Sequence, residues 1–132
     1  MPRYDARHFD PPAPVASVSI RTEVNAVSLS DVMMLLDSGA DVTLLPEVAV
    51  EQLGVLPIPE QRYELVGFDG TTSFAQVAEL EMLFLNRTFR GRFLLIGEEM
   101  GILGQDVLNH VSLLFSGPRL TWSEQQKIKG NP

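Results

Sequence analysis

The stretch MLLDSGADVTLLP, residues 34–46, places a carboxylate between two apolar runs. Met34, Leu35 and Leu36 lead into Asp37, and Val42, Leu44 and Leu45 follow it closely. Each run reads as a short strand, and an apolar run that stops alternating is covered on both faces. Asp37-Ser38-Gly39 between them is good turn chemistry, and a turn at a strand end is the simplest account of the aspartate. Its surroundings suggest more than a turn. Apolar neighbours on both sides draw the carboxylate partly out of water, Ser38 sets a hydroxyl beside it, and Gly39 allows the backbone to approach another molecule closely.

Upstream, SVSIRTEV (residues 17–24) alternates apolar and polar positions, and AVSLSDVMMLLD (residues 26–37) supplies a second strand. Downstream, VTLLP is a third short strand, and LPEVAVEQLGV predicts a helix of about two turns. In that helix Pro46 fits the first position, Glu47 the positive end of the dipole and Gly54 the stop, with Val48, Leu53 and the alanine between them facing a core. RYELVGFDGTTSFAQVAELEMLFL (residues 62–85) reads as two strands joined at Asp69-Gly70, because both residues tolerate positive φ. A turn at Asn86 precedes the strand RTFRGRFLLIG, and ILGQDVLNHV turns at Gly104 into a short helix from Gln105 to near His110. SLLFSGPRLTW is a hairpin closed by Ser116-Gly117-Pro118. Residues 1–16 hold four of the nine prolines and read as a flexible, extended arm, with the domain at 17–122 and a polar tail at 123–132. Eight or so short strands and two short helices make an all-β domain, either a closed barrel or a sandwich.

Composition narrows the function. A chain of 132 residues fits one domain with a core large enough to need no staple. The absence of cysteine removes disulfides, thiolate zinc sites and thiol nucleophiles. A net charge of −7 without a basic stripe argues against nucleic acid and anionic membranes as partners. No run approaches the ~20 apolar residues of a spanning helix, and the N-terminus lacks a signal-like apolar region, so a cytoplasmic location is expected. His8 and His110 stand far apart and read as unliganded, Glu79/Glu81 as a solvated strand face and Glu98/Glu99 as a turn, so no metal or cofactor is expected. No G-x-S-x-G, G-x-G-x-x-G or P-loop pattern occurs. The sequon Asn86-Arg87-Thr88 is taken as chance.

Three segments in order, LLDSGADVTLLP, VGFDGTT and GILGQDVL, resemble the retropepsins, the single-domain aspartic proteases of retroviruses and their cellular and bacterial relatives. The first and last match that family's paired signature, apolar-apolar-Asp-Ser/Thr-Gly-Ala and apolar-apolar-Gly-x-Asp/Asn-x-Leu, and the resemblance spans about residues 17–122. The PEVAVEQLG helix and the SLLFSGPRLTW hairpin look closer to the bacterial and cellular branch. The resemblance implies a small closed β-barrel of the half-pepsin type and an endopeptidase that shares one proton between two carboxylates. Asp69 is accounted for by its turn, so the second acid would be Asp37 of another copy, and the active form a two-fold homodimer acting on a peptide or protein substrate. Asp37, Ser38 and Gly39 would carry catalysis. Ala40 and Asp41 would meet the substrate backbone beside side-chain pockets drawn from Leu35, Leu44, Val66, Gly67, Phe68, Met100 and Ile102. Residues 66–71 would form a flap, and Gly104 would let the second strand pass tightly behind the acid loop.

Two departures stand out. Gln105 occupies the position where the viral enzymes carry an arginine that pairs with the aspartate matching Asp41, and the flap is poorer in glycine. Interleaved termini fit this chain poorly, which makes SLLF and RLTW the expected dimer strands. The alternatives are a non-catalytic peptide-binding or dimerisation module that kept the fold, and an enzyme activated by association or by removal of its arm.

Overall fold

Alternation in the first half of the chain sets the core. In a computed structural model that describes residues 2–22, 27–67 and 69–125, Val18 and Ile20 of strand β2 (Ala13–Arg21) and Val32, Met34 and Leu36 of strand β3 (Ser28–Leu36) are buried. The two strands pair antiparallel, with a register shift between Val18 and Ile20. Asp31, at φ 60°, lies in the irregular stretch of β3, and the Ser17 hydroxyl donates to its carboxylate at 3.2 Å.

Among the described residues the remaining strands are β1 (Tyr4–Asp5), β4 (Leu44–Pro46), β5 (Arg62–Val66), β6 (Thr72–Phe84), β7 (Arg87–Ile96), β8 (Gly101–Leu103), β9 (Leu113–Ser116) and β10 (Thr121–Glu124), with helices α1 (Glu47–Leu53) and α2 (Gln105–Leu108). The main sheet runs β1-β2-β3-β8-β4-β7-β6-β5, and β2 also pairs with β6. That extra pairing closes the six strands β2, β3, β8, β4, β7 and β6 into a ring, which is the closed barrel that was expected. Its centre is filled by Ile20, Met34, Leu45, Met82, Phe84 and Leu103. The β9–β10 hairpin is attached through Trp122, which is buried, donates its indole N–H to the Val15 carbonyl at 2.8 Å, and lies 6.2 Å from the Phe84 ring.

Three expectations are corrected. Residues 2–16 are not a loose arm. Strand β1 pairs with Ala13 and Pro14, Arg3 bridges to Thr121, and Val15 and Ala16 are buried, because an edge strand accepts proline wherever no N–H is needed. In α1, Pro46 is the extended residue before the helix, and Ala49, Val50 and Leu53 form the buried stripe while Val48 faces solvent. Gly54 ends that helix at φ 85°, as expected. Finally, Glu81 is not on a solvated face. It is 2% exposed, because β2 and β7 flank it there and set Arg21 and Arg90 directly opposite. Arg21 Nε donates to one carboxylate oxygen at 2.5 Å, and Arg90 Nε to the other at 2.8 Å.

Candidate active site

Strand β3 delivers Asp37 to the rim of the barrel, and β8 runs parallel beside it, pairing Met34, Leu35 and Leu36 with Gly101, Ile102 and Leu103. A Cβ on Gly101 would come within 2.6 Å of the Leu44 carbonyl, so only glycine allows that close pairing. The Asp37 N–H donates to the Leu103 carbonyl at 3.0 Å, which fixes where the turn begins. The Ala40 N–H then donates to the Asp37 carbonyl at 3.1 Å, and the Gly39 N–H to Asp37 Oδ1 at 3.0 Å. The carboxylate is half-buried, with one oxygen held by its own loop. Ser38 and Gly39 are exposed beside it.

The start of α2 locks this loop from behind. The Gln105 N–H donates to the Ala40 carbonyl at 2.8 Å, and the Asp106 N–H to the Asp41 carbonyl at 3.2 Å. Thr43, 2% exposed, is the hub: its hydroxyl accepts from the Gly104 N–H at 3.0 Å and donates to Asp106 Oδ1 at 2.7 Å, while its N–H reaches Asp106 Oδ2 at 3.2 Å. Gly104 is required for space, since a Cβ there would press on the Val42 carbonyl and lie 3.0 Å from the Ala40 oxygen. Asp41 is exposed, so its carboxylate faces water, and the Gln105 side chain bonds Asn109.

Thr43 and Asp106 had no role assigned from sequence, although Asp106 is the acidic position of the second motif. Asp106→Ala would strip the acceptor from two groups of a buried residue. We expect it to lose about 3 kcal/mol of stability. A urea midpoint equal to the wild type's would show that the network does not hold the loop.

Of the predicted pocket residues, Leu35, Leu44, Met100 and Ile102 line two cavities that share Ile96, Glu98 and Ile102. One, about 520 Å³, brings Leu35, Met100 and Ile102 together with His8, Phe9 and Met33. The other, about 600 Å³, sets Leu44 and Ile102 against Leu65 and Phe74 of the β5–β6 hairpin. Sequence reasoning missed Phe9, Leu65 and Phe74, because their placement depends on long-range pairing. Val66 is 70% exposed at the end of β5, Gly67 begins the turn, and Phe68 lies outside the described residues. The turn itself is held by Gly67 N–H to Thr71 O at 2.8 Å and by Asp69, which accepts from the Thr71 hydroxyl at 2.6 Å and from its N–H at 3.0 Å. The Thr71 hydroxyl, then its N–H, holds the Asp69 carboxyl below its ordinary pKa. The carboxylate form therefore supports the turn above the unfolded-state pKa, and that support fades as pH falls through the lowered folded value. A cavity of about 660 Å³ elsewhere, lined by Tyr4, Val15, Phe84 and Trp122, shares Met33 with the first.

A β-barrel of this kind, with an Asp-Ser-Gly loop clamped by a Gly-x-Asp turn, defines the retropepsin-like class. The retroviral aspartyl protease family matches residues 11–115, and the chain belongs to that family. Among solved structures it is similar to EIAV protease in complex with the inhibitor HBY-793, at 23% identity and a TM-score of 0.54, over 74% of this chain and 86% of that one. A search of curated protein sequences found no match.

Proposed function

We propose that the protein is a homodimeric aspartic endopeptidase whose two catalytic carboxylates are Asp37 from each of two copies. The observation that carries this reading is the loop itself: a half-buried aspartate, held through one oxygen, with its loop stitched to α2. Asp69 is engaged by Thr71 in the flap turn, which argues against it as the second acid.

In the dimer one Asp37 is ionised and its mate protonated, since two adjacent carboxylates cannot both ionise cheaply. The carboxylate takes a proton from water as the water oxygen adds to the scissile carbonyl carbon. The protonated partner donates to the carbonyl oxygen, giving a neutral tetrahedral intermediate. Collapse breaks the C–N bond: the leaving nitrogen takes a proton from the acid that received one, and a hydroxyl of the intermediate returns its proton to the partner carboxylate as the C=O re-forms, which restores the starting pair. Ser38 would hydrogen-bond across the axis and hold the two loops rigid. Gly39, Ala40 and Asp41 would contact an extended peptide laid along the groove like an added strand. Leu35, Met100 and Ile102 on one side, and Leu44 with the flap on the other, would receive its side chains.

The dimer surface we assign is β9. It is the edge of the β9–β10 sheet, and it exposes Leu114 (57%) and Phe115 (48%). Trp122 of the RLTW strand is committed to the core, so that strand offers Leu120 instead. Such an edge invites pairing with its own copy across a two-fold axis. The test is cleavage of a mixed peptide library between about pH 4 and 7, with sedimentation alongside. Acid-favoured cleavage that falls faster than enzyme concentration on dilution is expected. Phe115→Asp should weaken association by about 2 kcal/mol and abolish cleavage at low concentration without unfolding the chain. Peptide binding without cleavage at every pH and concentration would instead identify a binding module.

A further inference from the structure

Residues 6–12, between β1 and β2, form a strap that no pairing signal in the sequence placed. Its start is tied by Asp5, whose carboxylate accepts from the Arg7 N–H at 2.7 Å, the His8 N–H at 3.0 Å and His8 Nδ1 at 2.7 Å. Its base is fixed by the β1–β2 pairing and by Tyr4 N–H donating to the Leu120 carbonyl at 2.9 Å. The strap therefore holds a defined position, and that position puts Phe9, half-buried, into the wall of the 520 Å³ cavity beside Leu35, Met100 and Ile102.

We infer that Phe9 is a specificity-determining residue of the substrate groove, closing one wall of a side-chain cavity that accepts a large apolar residue of the peptide. The inference rests on the protease reading above. Leu35 pairs with Ile102 two residues before Asp37, so a side chain seated there belongs to a residue close to the scissile bond. Phe9, Met33, Leu35, Ile96, Met100 and Ile102 give the cavity its apolar lining, and Glu98 and Glu99 belong to the same lining. Those two acids disfavour an acidic substrate residue by like-charge repulsion, while the apolar wall favours Phe, Leu or Met. Truncating Phe9 opens the wall, and an apolar pocket discriminates by how well it is filled.

The experiment uses the full chain as wild type, Phe9→Ala, Phe9→Leu and Asp5→Ala, with a peptide series varied at one position at a time. Relative kcat/KM and equilibrium binding by fluorescence are both read, with melting temperature as the check on folding. Phe9→Ala should shift preference at one position, from Leu toward Trp, by about tenfold. Phe9→Leu should shift it less. Asp5→Ala, which releases the strap with Phe9 intact, should shift it in the same direction. Identical profiles for wild type and folded Phe9→Ala would overturn the inference while leaving the protease reading intact. A uniform rise in cleavage of every peptide in Phe9→Ala would also overturn it, because the strap would then be a plug. Binding that shifts with Phe9 but never leads to cleavage would overturn the protease reading and, with it, the inference, leaving Phe9 as a wall of a peptide-binding groove. A wild type that neither binds nor cuts removes both.

Discussion

Asp37→Asn should lower cleavage by at least about 10⁴-fold, because the substitution removes both halves of the proton transfer at once. In a homodimer each site draws one carboxylate from each copy, so the variant has neither the base that activates water nor the acid that serves the carbonyl oxygen. The fold should survive. The amide that replaces the carboxylate still offers an oxygen to the Gly39 N–H, and the side chain is half-buried at the rim. Mixing separates a shared site from a self-contained one. With a threefold excess of Asp37→Asn protomers over wild type, random exchange leaves about a quarter of wild-type protomers paired with their own kind. Activity should fall in that proportion. Activity that tracks the amount of wild-type chain alone, indifferent to the variant, would rule out a site made from two copies.

Arg21→Ala with Arg90→Ala should be the most destabilising change away from the site, by about 3–5 kcal/mol. Glu81 is 2% exposed, and the two substitutions take both guanidinium groups from a carboxylate that water cannot reach. Glu81→Ala should cost less, about 1–3 kcal/mol, because Arg21 and Arg90 are 42% and 65% exposed and regain water when the carboxylate goes. Chemical unfolding at neutral pH measures both losses. Equal losses for the double arginine variant and for Glu81→Ala at neutral pH would mean the cluster is not a buried ion triad.

The elements legible in the sequence are those whose signals are local. Asp37-Ser38-Gly39 closing an apolar run, Gly54 at positive φ after a helical stripe, and Asp69-Gly70 between alternating segments each act within a few residues, where turn and cap chemistry operate. Helix phase was less secure. Val48 and Val50 are equivalent in composition, and only the neighbours packed on α1 select Val50. The arm was misread for a related reason. Its prolines suppress ladder bonding, but an edge strand needs few such bonds, and Arg3 and Tyr4 find their partners on β10 and its preceding turn. Thr43 shows the limit from the other side. A threonine in a short strand is unremarkable until Asp106 and Gly104, some sixty positions later, close around it.

By itself the sequence determined that this is an all-β chain with an acid loop, a second glycine-bearing motif and a hairpin between them, because side-chain periodicity and turn chemistry are properties of adjacent residues. Tertiary structure alone decided the β2–β6 closure, the parallel β3–β8 pairing that seats the loop, the burial of Glu81 between two arginines, and the strap that carries Phe9 to the cavity beside Leu35 and Ile102. Those features join residues far apart in the chain. Their stability comes from burial and from satisfying buried polar groups, and neither quantity exists until the strands have met.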